Sequence, residues 1–307
     1  ASGSRTTIAG GVNNSASNGW ATVAGGNNNN ASGSYSFIGG GDSNTASSNY
    51  SFIGGGTGNT AQSNQNITVC GGYYNLASGE RSVIGGGSVN TATTFGSTIG
   101  GGESNTISTN TYATISGGRS NLASGQYAFV GGGYNNTANG TSSSVLGGQF
   151  GTTRSIGNYQ VICGGVAIAS VAGVTQTALL LLARETTDAT ATVLTSNSSA
   201  ASTTNQVVLP NNSAYSFSGE VIAGVTGGGN TARWTINGAI KRGANAASTV
   251  MVGTATVTMT HNDAGAAAWV VAVTADTTNG GIAVTVTGAA ATTIRWVCRV
   301  NTVEMTY

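Results

Sequence analysis

The sequence predicts an all-β protein with a parallel β-roll, or solenoid, over residues 1–174 and a jelly-roll-like antiparallel β-sandwich over residues 175–307. A repeat of about fifteen residues fills the first part, and apolar residues alternate with polar ones in the second. The composition agrees with this class, since 50 of the 307 residues are glycine and 6% are charged, against roughly 25% charged residues in globular proteins.

The repeat is marked by a β-branched residue that precedes Gly-Gly by two positions. It occurs at Ile8, Val23, Ile38, Ile53, Val69, Ile84, Ile99, Ile115, Val130, Val145 and Ile162. An asparagine follows six residues later in the first nine units, at Asn14, Asn29, Asn44, Asn59, Asn75, Asn90, Asn105, Asn121 and Asn136. Alanine, or once isoleucine, comes two residues after each asparagine. The regular spacing predicts about eleven stacked coils.

A fifteen-residue coil has room for two short strands and two tight turns. Gly-Gly marks one turn, and small residues mark the other at Gly33, Ser48, Gly79, Gly125 and Gly140. We expect a positive φ at both corners, because glycine tolerates that conformation. Stacked coils lie about 4.8 Å apart in parallel register, so the Ile/Val column should face inward and the asparagines should form an amide ladder.

Each coil contributes only one Ile or Val and one Ala to its interior, which is too little apolar burial to offset the entropy of ordering fifteen residues. Aromatic residues stand three positions before the marker, at Trp20, Tyr35, Tyr50, Tyr112, Tyr127 and Tyr159. A further set, Phe37, Phe52, Val83, Phe129 and Val161, stands one position before it. Both sets are expected to point outward. We favour burial of the aromatic column against other copies of the chain, and sugar stacking stays open as the alternative.

The second part predicts about eight antiparallel strands, because apolar and polar residues alternate in runs such as 215–225 and 294–300. Asn237-Gly238 and Asn279-Gly280 are expected to form hairpin turns between strands. Binding residues are commonly found on loops that a rigid scaffold positions. The loops predicted at 227–230, 241–246 and 261–266 therefore supply the candidate receptor-binding residues Asn230, Lys241, Arg242, Asn245, Asn262 and Asp263.

Nothing in the sequence indicates catalysis, a metal or a cofactor, and we expect a protein that is not an enzyme. The cysteines at 70, 163 and 298 are far apart and His261 is the one histidine, so zinc and iron–sulfur sites are not expected. The net charge of +1 and the scarcity of clustered Lys and Arg argue against nucleic-acid binding. No apolar run approaches the roughly 20 residues of a membrane span. The chain enters a repeat directly at Ala1, and we expect an attachment region to precede it.

Two resemblances refine this interpretation. The units at 36–47 (SFIGGGDSNTAS) and 128–133 (AFVGGG) resemble the head repeats of trimeric autotransporter adhesins and related repeats of phage tail fibres. The segments 209–215, 275–281 and 293–297 resemble a C-terminal domain of phage and prophage tail proteins. The resemblances imply a homotrimer whose C-terminal domain contacts a host cell.

The expected function is therefore the distal part of a trimeric phage tail fibre, located in the virion, that adheres to a host polysaccharide or lipopolysaccharide. The alternatives are the head of a bacterial trimeric adhesin on the cell surface, a capsid decoration or structural spike without receptor specificity, and a polysaccharide depolymerase. A depolymerase requires two carboxylates across a groove, and the acidic residues show no such pairing in the sequence.

Overall fold

A computed structural model describes residues 1–165 and 174–307 and has an all-β fold. The chain divides into two compact units, Ala1–Gly148 and Gln149–Tyr307, which are called the solenoid and the C-terminal domain below. The division falls after residue 148 rather than at the expected boundary after residue 174. The strand Tyr159–Gly164 explains the difference, because it contains the eleventh marker, Ile162, yet pairs antiparallel with Thr175–Thr186.

Strands β1–β19 of the solenoid alternate along the chain between two parallel sheets. The odd-numbered strands are Thr7–Ile8, Thr22–Val23, Phe37–Ile38, Phe52–Ile53, Thr68–Val69, Val83–Ile84, Thr98–Ile99, Thr114–Ile115, Phe129–Val130 and Ser144–Val145. The even-numbered strands are Ser15–Ala16, Asn30–Ala31, Thr45–Ala46, Thr60–Ala61, Leu76–Ala77, Thr91–Ala92, Thr106–Ile107, Leu122–Ala123 and Thr137–Ala138. Single-residue bridges, which start with Val12 to Asn27, add a third line of pairing. The predicted parallel solenoid is confirmed, but the described residues form ten coils instead of the eleven expected.

The interior of the solenoid is formed by the Ile/Val and Ala columns, as predicted. From Val23 to Val145 every marker residue is fully buried, and the Ala column is buried with Ile107 as its one larger member. The asparagines from Asn29 to Asn136 are also buried. Asn90 illustrates their bonding: its amide Nδ2 donates to the carbonyl oxygens of Gly86 at 3.0 Å and Gly102 at 2.9 Å, and its Oδ1 accepts from the backbone N–H of Asn105 at 3.0 Å. The ladder therefore ties side chains mainly to the backbone.

The two corners of a coil differ in their backbone conformation. At the Gly-Gly corner the second glycine has a positive φ, for example 92° at Gly26, as expected. At the other corner the expectation was wrong, since the left-handed residue is the one three positions before the marker, with φ of 58° at Tyr35 and 59° at Arg81. The N–H of Ser36 donates to the carbonyl of Gly33 at 3.2 Å and closes a turn that has Tyr35 in its third position. Gly33 is small for another reason, because a Cβ there would lie 2.0 Å from the carbonyl oxygen of Ser48.

The C-terminal domain contains two antiparallel sheets, which confirms the predicted second part of the fold. Its strands are β20 (Tyr159–Gly164), β21 (Thr175–Thr186), β22 (Thr192–Val193), β23 (Val207–Val208), β24 (Ser213–Val225), β25 (Thr231–Arg242), β26 (Val250–Met251), β27 (Thr256–Asn262), β28 (Val270–Asp276), β29 (Gly281–Thr287) and β30 (Ile294–Thr306). The larger sheet has the order β20-β21-β30-β24-β25-β27, with β26 also paired to β25. In the smaller sheet β29 pairs with β28, β22 and β23. Ala246–Ser248 and Ala264–Ala266 form short 3-10 helices.

Three tryptophans form the centre of the C-terminal core. The ring of Trp296 lies 5.6 Å from that of Trp234 and 5.7 Å from that of Trp269, measured between centroids. All three side chains are buried, and the indole N–H of Trp296 donates to Oγ1 of Thr186 at 2.9 Å. Trp269 directly precedes β28 of the smaller sheet, whereas the other two belong to the larger sheet. The tryptophans therefore join the two layers.

Two sequence-based expectations in this domain were wrong. Asn237 and Gly238 lie within β25 and form no turn; a Cβ on Gly238 would come within 2.7 Å of the Phe217 ring, so the glycine makes room for that ring. Tyr159 is buried and donates a hydrogen bond to Glu304, so it does not extend the aromatic column. The turn at Asn279-Gly280 is confirmed, with φ of 79° at Gly280.

Candidate ligand-binding surfaces

The six residues predicted to bind a receptor lie at two ends of β25. Asn230 precedes Thr231, the first residue of that strand. At the same end, Asn262 is the last residue of the neighbouring strand β27 and Asp263 follows it. Lys241 and Arg242 are the last residues of β25, and Asn245 follows them. The twelve residues of the strand separate the two groups by about 36 Å at 3.3 Å per residue. They therefore form two surfaces, each with three of the six residues.

At the Asn230 end, two of the predicted loops meet. The backbone N–H of Thr231 donates to Oδ2 of Asp263 at 2.8 Å, and the N–H of Asp263 donates to the carbonyl of Thr231 at 2.9 Å. The amide of Asn230 lies so close to Gly265 that a Cβ on this glycine would meet Nδ2 at 2.2 Å. These contacts bring the 227–230 loop and the 263–266 segment together as one surface, which we call the loop surface.

A shallow depression of about 580 Å³ adjoins the loop surface. It is lined by Ile222, Thr231, Ala232, Arg233, Thr260, His261, Asn262 and Asp263. The guanidinium of Arg233 donates to Glu220 at 2.5 Å, and this ion pair is partly exposed. The depression thus offers hydroxyl, amide, imidazole and carboxylate groups for hydrogen bonding, with Ile222 as an exposed apolar side chain.

At the opposite end of β25, two of the three predicted residues have structural partners. Nη1 of Arg242 donates to the carbonyl of Leu209 at 2.6 Å. Asn245 caps the 3-10 helix Ala246–Ser248 and accepts from the backbone N–H of Ser248 at 3.1 Å. Lys241 is exposed. Two of the three predicted residues on the loop surface have backbone partners as well, since Nδ2 of Asn262 donates to the carbonyl of Asp263 at 2.9 Å and Asp263 accepts from Thr231. The two ends of β25 are therefore alike in this respect.

The aromatic column of the solenoid forms an exposed stack. Ring centroids lie 4.7 Å apart between Trp20 and Tyr35 and 5.0 Å apart between Tyr35 and Tyr50, with interplanar angles of 5° and 6°. Tyr112 and Tyr127 stack in the same way at 5.6 Å. Tyr35 has a stacked ring on each side, so both of its faces are covered and mainly its edges are exposed. A sugar that stacks on an aromatic face would find few free faces here.

A buried ionic cluster lies inside the C-terminal domain. The carboxylate of Glu304 accepts hydrogen bonds from Arg154, from the Tyr159 hydroxyl, from Thr302 and, at 2.8 Å, from Nε2 of Gln176. Burial raises the pKa of Glu304 to about 7, and Arg154 opposes that shift. The Glu304 side chain is 0% exposed. Because a reacting carboxylate must reach its substrate, we interpret the cluster as part of the packing.

Within residues 1–165 and 174–307, no group of three or more His, Cys, Asp and Glu side chains is arranged to hold a metal ion. The same residues contain no helix with the length and apolar character needed to span a bilayer.

A weak structural likeness comes from the comparisons with known proteins. No family model matches the sequence, and no curated protein matches it. A solved structure, the tailspike protein of Acinetobacter baumannii phage AM24, is similar with a TM-score of 0.21 and 9% sequence identity. The alignment covers 95% of this chain and 58% of the tailspike chain. We draw no functional inference from a likeness this weak.

Proposed function

We propose that this chain is the distal part of a trimeric phage tail fibre that attaches the virion to a host polysaccharide or lipopolysaccharide without cleaving it. The combination of the two units is the observation that carries the proposal. A ten-coil solenoid with a fixed backbone register suits a spacer. An antiparallel domain with a polar loop surface suits recognition, because its strands hold the loops in place.

Self-association, which the proposed trimer requires, is supported by apolar side chains that one chain leaves exposed on the solenoid. The larger ones are Val12, Trp20, Tyr35, Tyr50, Phe52, Tyr73, Tyr74, Val89, Tyr112, Tyr127, Phe129, Tyr134 and Leu146. Contiguous exposed apolar surface is a mark of protein contact sites. Association of copies along the solenoid would bury some of these side chains and supply the apolar contacts that the thin coils lack.

Attachment without catalysis is favoured over depolymerisation by the state of the carboxylates. Glu304 is buried, and Glu220, Glu185 and Glu103 form ion pairs with arginines. Asp263 and Asp276 accept backbone hydrogen bonds. These ion pairs and hydrogen bonds hold loops and strands in position. A bacterial adhesin head remains the second candidate, because the same surfaces would serve adhesion from a cell.

A binding assay tests the proposal. Labelled chain is incubated with a panel of bacterial strains, with their purified envelope polysaccharide and with lipopolysaccharide. We expect binding to at least one strain, competition by its purified polysaccharide, no released oligosaccharide, and a light-scattering mass of three times 30.1 kDa. Release of oligosaccharides would establish a depolymerase, and a mass of one chain would exclude the trimer.

Variants of the loop surface sharpen this assay. The double substitution Asn230→Ala and Asn262→Ala is expected to weaken cell binding about tenfold, because it removes two exposed amides. Asn211→Ala is the matched control, since Asn211 is an exposed asparagine outside the loop surface. Equal cell binding by the double variant and the control would show that the loop surface is not part of the attachment site.

A further inference from the structure

The outer face of the larger sheet carries a row of polar side chains that crosses four strands. In the register of the sheet, Ser218 on β24 lies between Asn301 on β30 and Asn237 on β25, and Asn237 lies opposite Thr256 on β27. We call these four residues the polar row. Their chain neighbours Gly219, Ile236 and Thr302 are buried, so the row faces away from the core. With adjacent strands about 4.8 Å apart, the row spans about 14 Å.

The polar row has hydrogen-bonding capacity that the protein does not use. Among the residues that the structure describes, no side-chain hydrogen bond involves Asn301, Ser218, Asn237 or Thr256. Each asparagine amide offers two donors and one acceptor oxygen, and each hydroxyl offers one donor and two lone pairs. The row therefore presents both donors and acceptors at each of its four positions.

The row lies in a groove of about 360 Å³. The charged residues of its lining are Glu220 and Arg299, whose side chains approach to 3.6 Å. The Arg299 side chain is 51% exposed, and its distance to Glu220 leaves guanidinium donors free for a ligand. The charges of the lining cancel, which disfavours a polyanion, and the lining has no exposed apolar side chain to anchor a peptide.

We propose that the polar row is a saccharide-binding site, which takes a short hydroxyl-rich segment of an oligosaccharide along the 14 Å line of the four side chains. Neighbouring hydroxyls of a sugar both donate and accept, which matches the amides of Asn237 and Asn301 and the hydroxyl of Ser218 between them. Arg299 and Glu220 are placed to bind hydroxyls at the next position along the strands. The inference rests on the proposed function and places the saccharide on the face of a sheet in addition to the loops.

The groove has no aromatic platform, so the affinity of one site is expected to be low. Three copies on a trimeric fibre would compensate through the effective concentration that linked sites provide. Solid-phase presentation of the saccharide is therefore the appropriate format for detection.

The test uses the full chain on an array of oligosaccharides, with neutral hexose and hexosamine oligomers in one set and uronate- or sialate-containing oligomers in the other. We expect the chain to bind members of the array, and the double variant Asn237→Ala and Asn301→Ala to lower that binding at least about tenfold through the loss of two hydrogen-bonding side chains. Ser218→Trp, which fills the centre of the groove, should act in the same way. Asn211→Ala serves as the control, and thermal melting of every variant checks that the fold is intact.

Failure of this inference can be told apart from failure of the proposed function. Array binding that survives both row variants, or a chain that binds no oligosaccharide on the array, would overturn the polar row as a saccharide site. If such a chain still binds host cells and loses this binding on Asn230→Ala and Asn262→Ala, the attachment function stands and the loops carry it. Array binding that depends on the row, in a chain that binds no cell of the panel, would support the site and contradict the attachment function.

Discussion

The solenoid and the C-terminal domain stabilise β-structure by different means. In the solenoid each inner coil buries a marker Ile or Val, an alanine or once an isoleucine, and an asparagine, and the next coil repeats them. The C-terminal domain concentrates its apolar burial in large side chains, including Trp234, Trp269 and Trp296. Stability is therefore distributed along a line in the solenoid and shared through one core in the C-terminal domain. A core mutation should have a local effect in the first and a global effect in the second.

The largest effect is expected from a charge placed in the solenoid interior. Ile53 is fully buried, and Ile53→Asp puts a carboxylate between Ile38 and Val69, which are its neighbours in the stack. Neither can pair with the charge, so the free energy of unfolding of the local coils should fall by more than about 4 kcal/mol. Hydrogen exchange measured by mass spectrometry should show loss of protection in the coils around residue 53, with the C-terminal domain unchanged.

Gln62→Asp is the matched control, because Gln62 belongs to the same coil, is exposed and is not one of the apolar side chains proposed to lie between copies. It should leave most of the protection in place. Equal loss from both substitutions, or loss that extends into the C-terminal domain, would contradict the comparison between a linear and a shared core.

The next largest effect is expected in the C-terminal core. Trp296 is fully buried and contacts both other tryptophans of the core. Trp296→Ala should lower the free energy of unfolding of the whole domain by about 3–5 kcal/mol, which urea denaturation followed by fluorescence can measure. Leu181→Ala, on an exposed position of β21, is the control and should change stability by less than about 1 kcal/mol. A local response to Trp296→Ala would show that this core is not shared.

The sequence predicted the solenoid more fully than the C-terminal domain, and the reason is physical. Each coil repeats the environment of the last, so eleven copies of one pattern average out local exceptions and reveal the buried column directly. In the C-terminal domain a single Asn237-Gly238 pair had to be interpreted from local propensity. A glycine is needed at position 238 because the ring of Phe217 lies against it. This contact joins β24 and β25, so the residues next to Gly238 in the sequence do not reveal it.

The candidate sites were predicted in part for a similar reason. Polarity and loop position pointed to Asn230, Asn262 and Asp263, which do meet on one surface. Arg242 and Asn245 lie instead at the opposite end of β25, and they serve backbone contacts as Asn262 and Asp263 also do. The polar row was not predicted at all. The signal in the sequence was that Asn237 and Asn301 stand at outward positions of segments with alternating polarity. Only the strand register shows that both lie next to Ser218 on one face.

The buried charge of the C-terminal domain gives a pH test that the solenoid lacks. The pKa of Glu304 is raised to about 7 by burial, so the folded domain binds a proton more tightly than the unfolded chain. The free energy of unfolding should therefore fall by roughly 3 kcal/mol as the pH rises from about 4.5 to 7. Urea denaturation of the domain at several pH values measures this slope, and Glu304→Gln should flatten it. A parent domain whose stability does not fall across this range would contradict the shift.

The smallest effect concerns the aromatic stack, where two opposing contributions can be separated at Tyr35. Its ring stacks on both Trp20 and Tyr50, and each such pair contributes about 0.5–1.5 kcal/mol beyond burial. Its φ of 58° costs roughly 1 kcal/mol in a residue other than glycine. Tyr35→Ala removes the stacking and keeps the backbone cost, whereas Tyr35→Gly removes both.

Tyr35→Gly should therefore melt closer to the parent than Tyr35→Ala does, a difference that differential scanning calorimetry of the solenoid transition can resolve. If the stack lies between copies of the chain, both variants should also lower the mass measured by light scattering, because the rings would then supply apolar contact to the trimer. An unchanged mass with the expected order of melting temperatures would assign the stack to the stability of one solenoid. A Tyr35→Gly variant less stable than Tyr35→Ala would show that the left-handed turn does not strain the tyrosine.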